Sequence, residues 1–303
     1  MSGVLVTGAS GFVGLPVLER LASRGEEVHA ISTRARPPEV AGVCWHRADL
    51  ADGAAVEELV EGLAPERLVH LAWCTEHGHY WRSPENVLWV GRSLQLLHAF
   101  VRRGGRRVVV LGTCAEYDWS SVGGSLSECA SPLAPATPYG AAKDALRRVA
   151  RAYTEQEGVE LVWGRLFFPY GPREVPERLV PSVIRSLLSG EPVATGSSER
   201  IRDFMYVDDV ADALAAILDS PVVGPVNIAS GVPVTVGEVV ERMARLTGRL
   251  ELAGGGALPD RPGEPPMLLA DVARLRDEVG FRPRWALADG LAASVRWWRE
   301  HAQ

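Results

Sequence analysis

Three side chains in this sequence could transfer a proton to or from an oxygen atom: Thr113, Tyr139 and Lys143. Tyr139 and Lys143 are four residues apart in a segment predicted to open a helix, so they share one helical face. A phenol with a pKa of about 10 is a poor acid–base group at neutral pH, and an adjacent ammonium group stabilises the phenolate. Thr113 follows a predicted strand and could hydrogen-bond the reacting oxygen. We therefore predict that these three residues are catalytic.

A glycine-rich turn near the start of the chain is the second chemical feature. Gly8, Gly11 and Gly14 lie between a short apolar run and a helical pattern. Gly8 permits a tight turn, Gly11 lets a pyrophosphate approach the backbone, and Gly14 allows close packing of helix on strand. The helix N-terminus then offers N–H groups to the anion. We predict a dinucleotide site, whose other contacts in the turn are Ser10, Phe12 and Val13.

The residues after the second and third predicted strands bear on which dinucleotide binds. An acidic residue at the end of the second strand would bind the ribose hydroxyls of NAD. Here Ser32 stands at that place, with Arg34 two residues later. Ser32 removes a charge that would repel a 2′-phosphate, and Arg34 could pair with one. This pattern favours NADP, with NAD possible, and Asp49 and Leu50 are predicted to hold the adenine edge.

These residues need a scaffold, and the rest of the sequence predicts a doubly wound α/β fold of the Rossmann type. Short, nearly continuous apolar strands alternate with helices, as in a parallel sheet covered on both faces. The predicted strands are Val4–Val6, Val28–Ile31, Val43–Trp45, Leu68–Leu71, Arg107–Leu111, Glu160–Phe167 and Pro225–Ala229. The predicted helices lie near Leu15–Ser23, Ala54–Gly62, Glu85–Arg103, Ala141–Glu157, Pro181–Ser189 and Val210–Asp219. We predict a dinucleotide-binding domain over residues 1–167, with a return strand near 225–230, and a smaller, interleaved substrate domain over residues 168–303.

Composition excludes several classes of partner. The chain has 303 residues, 47% of them hydrophobic, and a formal net charge of −6, which argues against nucleic acid or an anionic membrane as a partner. Charged residues interrupt every apolar stretch before it could span a bilayer, and the N-terminus does not resemble a signal peptide. The four cysteines form no CxxC pair. We therefore expect a cytoplasmic protein with reduced thiols.

In this order, the glycine-rich turn, Thr113 and the Tyr139-x-x-x-Lys143 pair resemble the extended short-chain dehydrogenase/reductase family, in its nucleotide-sugar epimerase, dehydratase and ketoreductase branch. The resemblance runs essentially from end to end. It implies that Tyr139 and Lys143 also contact the cofactor, and that Lys143 holds its nicotinamide ribose. The stretch beside the nicotinamide adds three cofactor contacts, which are Leu71, Ala72 and Trp73.

Three later segments are similar to this branch's substrate motifs. They are Arg165–Pro172, Arg202–Val210 and the loop Arg261-Pro262-Gly263-Glu264. The resemblance implies that Arg202 and Arg261 clamp the pyrophosphate of a nucleotide sugar, since the planar donors of arginine suit paired phosphate oxygens. Arg202 could instead pair with Asp203 or Asp208. Phe168 replaces the asparagine usual in the family, so the substrate contact at that wall is altered.

The residues after Thr113 narrow the expected reaction. The 4,6-dehydratases of this family carry Asp-Glu there, whereas this chain has Cys114 and Ala115, with Glu116 one residue too late. Dehydration is therefore not expected. Ser32 and Arg34 favour NADPH-dependent reduction of the C4 keto group of a nucleotide-linked 4-keto-6-deoxy sugar, as in deoxysugar biosynthesis. An NAD-dependent nucleotide-sugar 4-epimerase is the alternative, and a non-catalytic NADP-binding sensor is the alternative of another class.

Two further expectations concern metals and assembly. Cys74, His77 and His79 have a spacing that could suggest zinc, but no fourth ligand follows, so we expect no metal. The resemblance implies a homodimer formed by the helices near 85–103 and 141–157. These helices carry apolar positions such as Leu94, Leu97 and Val149, which could equally face their own sheet.

Overall fold

The computed structural model describes residues 3–121, 123–254 and 263–301. The strands in these ranges are β1 (Val4–Thr7), β2 (Val28–Ser32), β3 (Val43–Arg47), β4 (Arg67–His70), β5 (Arg107–Thr113), β6 (Glu160–Leu166), β7 (Phe168–Tyr170), β8 (Ile201–Arg202), β9 (Phe204–Tyr206), β10 (Gly224–Ile228), β11 (Val234–Thr235) and β12 (Met267–Leu268). The helices are α1 (Gly14–Ser23), α2 (Gly53–Leu63), α3 (Glu85–Arg102), α4 (Pro138–Glu157), α5 (Leu179–Ser189), α6 (Val207–Asp219), α7 (Val236–Thr247) and α8 (Leu287–His301).

A seven-stranded parallel sheet in the order β10-β6-β5-β4-β1-β2-β3 forms the centre of the molecule. Its inner strands are apolar runs buried on both faces, as their sequences predicted; Val108, Val109 and Val110 of β5 are examples. Helices α1 and α6 pack together on one face, and α2, α3 and α4 cover the other. The predicted Rossmann-type α/β fold is confirmed.

The strand order reverses between β1 and β4. The chain runs outward from β1 through β2 to β3, then crosses to β4 and continues through β5 and β6 in the other direction. In sheets of this kind the ligand crevice lies at the carboxyl ends of the strands where the order reverses. Thr7 of β1 stands directly opposite His70 of β4 there, and β5 ends nearby at Thr113.

The remaining elements form a smaller body around α5, α7 and α8, with its own apolar cluster that includes Ile184, Val239 and Leu291. The strand predicted near 225–230 is β10, which pairs with β6 in the central sheet. Helix α6 also packs with the sheet layer, against α1, although it lies within residues 168–303. None of the helices in the described ranges is both long enough and apolar enough to cross a membrane.

Candidate active site

The glycine-rich turn joins β1 to α1 at the reversal point. Gly8 has a φ of +66°, and a Cβ there would lie 2.6 Å from the main-chain nitrogen of Ala72, so only glycine fits. A Cβ at Gly14 would overlap the carbonyl oxygen of Gly8. In the described part of the chain, the N–H groups of Phe12 and Val13 have no hydrogen-bond acceptor. Free N–H groups just before a helix suit a phosphate.

A buried histidine ties the turn to the sheet behind it. His70 Nδ1 lies 2.7 Å from the hydroxyl of Thr7, and its Nε2 lies 2.9 Å from the hydroxyl of Ser93 on α3. Burial lowers the pKa of His70 to about 3, so the ring is neutral at physiological pH. The network fixes β1, β4 and α3 relative to one another and so positions Leu71 and Ala72 beside the turn. Sequence inspection did not predict Thr7 or Ser93.

The residues predicted to meet the adenosine end lie at the ends of β2 and β3. The Ser32 hydroxyl donates to the hydroxyl of Ser10 at 3.2 Å and accepts the N–H of Arg34 at 3.1 Å. The side chain of Arg34 is exposed and forms no ion pair among the described residues. Asp49 is exposed, and Leu50 is buried beside it. No carboxylate therefore occupies the end of β2.

Thr113 and Tyr139 meet because α4 begins close to the end of β5. The Thr137 hydroxyl caps α4 by accepting the N–H of Gly140, with Pro138 at the first helical position. A Cβ at Gly140 would overlap the carbonyl oxygen of Ala115, so glycine allows this close approach. The Thr113 side chain lies close enough to the Tyr139 hydroxyl to act on its pKa. Burial raises the pKa of Tyr139, and the Thr113 side chain and the charge of Arg178 oppose that rise.

Lys143 lies one helical turn beyond Tyr139 and is only 3% exposed. Its Nζ donates to the carbonyl oxygen of Leu111 at 2.8 Å and lies 3.9 Å from the centroid of the Trp73 ring. Burial lowers the pKa of Lys143 to about 7, while the charge of Glu116 acts to raise it. The active-site ammonium thus lies on an aromatic face, and nothing in the spacing of Tyr139 and Lys143 predicts this.

Aromatic rings surround Tyr139 on the side away from the sheet. The ring centroids of Tyr80 and Trp81 lie 5.0 and 5.6 Å from that of Tyr139, both edge-on. The Tyr139 N–H also donates to the carbonyl oxygen of Trp81 at 3.2 Å. Trp119 packs against Trp81 at 6.0 Å. Tyr80 and Trp81 of the segment between β4 and α3 therefore form a wall beside Tyr139.

Arg178 and Glu174 complete this side of the site, and sequence inspection missed both. The guanidinium carbon of Arg178 lies 5.5 Å from the Tyr80 ring centroid, and the Arg178 side chain forms no hydrogen bond or ion pair in the described ranges. Glu174 is 6% exposed, and its Oε2 has no hydrogen-bond partner there. Burial raises the pKa of Glu174 to about 8, although Arg178 lowers it. A protonated Glu174 leaves the charge of Arg178 available to a ligand.

Glu116 is held in the structure and is not presented to the cleft. It is fully buried, and its carboxylate accepts hydrogen bonds from the Thr113 N–H, the indole N–H of Trp163 and the Arg165 guanidinium, at 2.8–3.0 Å. Burial raises the pKa of the Cys114 thiol to about 12, so Cys114 is not ionised at neutral pH. Cys114 and Glu116 therefore cannot serve as the acid–base pair of an elimination.

Arg202, one of the two predicted substrate arginines, is paired within the protein. The Arg202 guanidinium is 3% exposed, bonds Glu264 at 2.8 Å, and lies 5.6 Å from the Phe168 ring. Its ion-pair partner is therefore Glu264, while Asp203 accepts bonds from main-chain groups and from the Ser230 hydroxyl. Glu264 also pairs with Arg200. Arg261 lies outside the described residues.

No group of three or more His, Cys, Asp or Glu side chains within the described ranges could hold a metal ion. Cys74, His77 and His79 lie in the loop between β4 and α3, and the thiol of Cys74 is free.

Comparisons with known proteins place this geometry among related enzymes. The family model described as "NAD dependent epimerase/dehydratase family" matches residues 4–229. A dTDP-glucose 4,6-dehydratase of Streptomyces niveus is 30% identical, over 98% of this chain and 93% of that protein. The structure of MoeE5 with UDP-glucuronic acid and NAD is 32% identical, covers 99% of this chain and 100% of its own, and has a TM-score of 0.87. The Thermus thermophilus UDP-glucose 4-epimerase with NAD is 29% identical over 98% of each chain, with a TM-score of 0.85.

Proposed function

Because this chain belongs to the NAD-dependent epimerase/dehydratase family, we propose that it transfers hydride at C4 of a nucleotide-linked sugar. The observation that carries the proposal is the convergence of Thr113, at the end of β5, and Tyr139, on the first turn of α4, near the reversal point of the sheet, with Lys143 buried one turn away. Glu116, three residues after Thr113, is held by hydrogen bonds from Thr113, Trp163 and Arg165. Proton transfer at one oxygen is the chemistry these residues can perform.

The residues of the turn suit a nicotinamide dinucleotide. The N–H groups of Phe12 and Val13 would bind the pyrophosphate, and Gly11, exposed beside them, leaves room for it. Ser32, Arg34, Asp49 and Leu50 would contact the adenosine half, and Leu71, Ala72, Tyr139 and Lys143 the nicotinamide half. The bound cofactor would supply or accept hydride at the sugar carbon.

On the substrate side, Arg178 is a cation whose charge acts on Tyr139 and whose side chain has no hydrogen-bond partner among the described residues. A partly buried guanidinium without a hydrogen-bond partner is unfavourable unless a ligand binds it, and a sugar diphosphate supplies the matching oxygens. Arg202 can join it only if Glu264 shares or releases its guanidinium. We retain Phe168 and Arg261 as predicted substrate contacts. These assignments support a nucleotide sugar as the substrate.

In the proposed reaction Tyr139 donates its proton to the C4 oxygen as that carbon is reduced. The Thr113 hydroxyl hydrogen-bonds the same oxygen and polarises the carbonyl group. Reduction of a 4-keto-6-deoxy sugar with NADPH is the specific reaction we propose, because the end of β2 carries Ser32 and Arg34 without a carboxylate. The same residues would run the reaction in reverse.

A second candidate is epimerisation at C4 with NAD. Solved structures similar to this chain along almost their whole length hold NAD, one of them a UDP-glucose 4-epimerase. An epimerase needs the same three catalytic residues and returns the hydride to its own substrate. It would therefore turn over without added cofactor if it retains NAD.

One experiment separates these reactions. The purified protein is incubated with 4-keto-6-deoxy nucleotide sugars plus NADPH, and separately with UDP-glucose and UDP-glucuronic acid without added cofactor. Consumption of NADPH with formation of a 4-hydroxy sugar supports reductase activity, and a C4 epimer formed without cofactor supports epimerase activity. Binding of cofactor with no turnover of any substrate would instead support an NADP sensor and contradict hydride transfer.

We also propose that the protein is a homodimer formed by α3 and α4. Val87 and Leu88 on α3 are 74% and 51% exposed, and Val149 on α4 is 49% exposed. Leu97 is buried in the core of its own subunit and Leu94 packs against that core, so neither is available to a partner. The apolar surface that supports the proposal thus differs from the residues named from sequence, except for Val149.

A further inference from the structure

Lys143 is the only lysine in the chain. The other 31 basic residues are arginines, distributed over the whole sequence. An arginine keeps its charge in almost any environment, whereas the pKa of an ammonium group shifts readily when it is buried. The charge of the Lys143 side chain is therefore sensitive to the groups that surround it.

The contacts of Lys143 are a carbonyl oxygen and a ring face. Its Nζ lies 2.8 Å from the oxygen of Leu111 and 3.9 Å from the centroid of Trp73. A cation over an indole face is attracted to the electrons of the ring, most strongly where water is excluded. Burial of Lys143 to 3% exposure meets that condition.

The Trp73 ring is held in place from its far side. Its indole N–H donates to Asn86 Oδ1 at 2.9 Å, and the Asn86 amide donates to the carbonyl oxygens of Tyr80 and Ser83 at 2.7 and 3.0 Å. Trp89 packs against Trp73 with a centroid separation of 6.0 Å. The ring therefore presents a fixed face to the ammonium group.

No carboxylate hydrogen-bonds Lys143 within the described ranges. The charge of Glu116, on the turn after β5, acts to keep Lys143 protonated, but its oxygens are bonded to Thr113, Trp163 and Arg165. His70 on β4 is neutral, because burial lowers its pKa.

On its own helix, Lys143 has no free acidic neighbour. Tyr139 is a neutral phenol, since burial raises its pKa. The adjacent Asp144 pairs with Arg147 and Arg148. Burial without a bonded anion disfavours the ammonium form of Lys143, so a further contact that favours the charge would keep more of it protonated.

We propose that Trp73 is a positioning residue, which keeps the Lys143 ammonium charged and fixed in the active site through the face of its indole ring. The inference rests on the proposed function only for the use made of that charge, which would favour ionisation of Tyr139 and bind the cofactor ribose. The charge itself is a property of the protein without ligands.

The test uses the single lysine as its own reporter. The protein, with a lysine-free tag, is labelled with ¹³C-lysine, and the one Cε resonance is followed as a function of pH. We expect Trp73→Leu to lower the pKa of Lys143 by about one pH unit. The Lys143 pKa in Trp73→Phe should lie between that of the wild type and that of Trp73→Leu. Trp285→Leu is the matched control, because the Trp285 ring packs on Tyr206 at a centroid separation of 4.3 Å, outside the cluster around Trp73. Its lysine pKa should equal that of the wild type.

A second measurement preserves the shape of the ring in case Trp73→Leu does not fold. Fluorinated tryptophans withdraw electrons from the indole face, so the Lys143 pKa should fall stepwise as fluorine atoms are added. An unchanged lysine pKa in the fluorinated protein and in either folded Trp73 variant would overturn the proposal. If the enzyme shows no turnover but the pKa falls, the proposed function fails and this inference stands. If the enzyme turns over but the Lys143 pKa is unchanged in the altered proteins, the proposed function stands and this inference fails.

Discussion

At the scale of single residues, the site combines buried groups whose charge is set by their surroundings. Tyr139 and Glu174 have raised pKa values, while those of His70 and Lys143 are lowered, and burial is the largest cause in each case. Such groups cluster at functional sites more often than elsewhere. Four of them around one crevice support the choice of this site over any other in the described chain.

Replacing Tyr139 with Phe tests the proton-transfer role directly. The change removes the transferable proton while keeping the ring contacts with Tyr80 and Trp81. General acid catalysis contributes about 10²–10⁴-fold, so kcat should fall at least about 100-fold. Cofactor affinity, measured by fluorescence titration, should change little. Near-normal turnover in this variant would refute the assignment.

Glu174 gives a prediction about stability against pH. An unfolded glutamate ionises near pH 4.5, whereas the folded one keeps its proton up to about pH 8. Between these values unfolding releases a proton, so the folded state loses stability as pH rises. Glu174→Gln has no proton to release and should be more stable than the wild type at pH 8, by about 1–3 kcal/mol, and similar at pH 4. Urea unfolding at both values checks this, and equal stability at pH 8 would contradict the raised pKa.

Arg34 tests the cofactor preference. Its exposed guanidinium has no ion-pair partner among the described residues, so a 2′-phosphate could bind it without displacing another group. We expect tighter binding of NADPH than of NADH, and Arg34→Ala should reduce the difference by about tenfold, as for one lost charged hydrogen bond. Arg24→Ala, whose side chain pairs with Asp219, is a suitable control. Tighter NADH binding by the wild type would remove the basis for a reductase.

At the scale of elements, the site depends on where α4 starts. The sequence predicted that Tyr139 lies where this helix opens, and the structure agrees, because Thr137 caps a helix that begins at Pro138. Only the approximate bound near residue 141 was late. The interpretation also left α7 and α8 unassigned, although Thr235 and Glu238 form a capping box at the start of α7.

Gly140→Ala should therefore impair catalysis without touching a reacting group. Its Cβ would overlap the Ala115 carbonyl oxygen, and the first turn of α4 must move away from Thr113. We expect a loss of about 1–3 kcal/mol in stability from overpacking, and a loss of turnover of about 100-fold from the misplaced hydroxyl. Gly62→Ala on α2, where a Cβ meets nothing within 4 Å, should instead gain about 0.5–1 kcal/mol. Chemical denaturation and steady-state kinetics measure both effects, and equal effects of the two changes would contradict the packing argument.

At the scale of the whole molecule, the exposed apolar residues of α3 and α4 predict how it associates. Val87, Leu88 and Val149 would be covered in a dimer and would face water in a monomer. Leu88→Glu should therefore convert the dimer to a monomer, measured by light scattering at micromolar concentration. Val232→Glu, an exposed position outside these helices, is the control and should leave the mass unchanged. A wild-type protein with monomer mass would refute the dimer.

The features that the sequence alone determined are those fixed by residues close together in the chain. The glycine spacing of the turn, the shared face of Tyr139 and Lys143, and the apolar strands each depend on local backbone geometry or on a short period. The family followed from these motifs in order, and the match over residues 4–229 confirms it. The absence of an acid directly after Thr113 was also visible in the sequence.

The contacts that only the tertiary structure decided join residues far apart. Trp73 contacts Lys143, which is 70 positions away in the sequence. Likewise, Arg178 lies over the Tyr80 ring. Glu264 forms an ion pair with Arg202. No local pattern specifies such partners, because the path of the chain through the sheet and the smaller body brings them together. The same path leaves the Arg178 guanidinium without a hydrogen-bond acceptor among the described residues, and buries Glu174 so that its pKa is raised. Their pKa values and free donors therefore follow from packing and not from residue type.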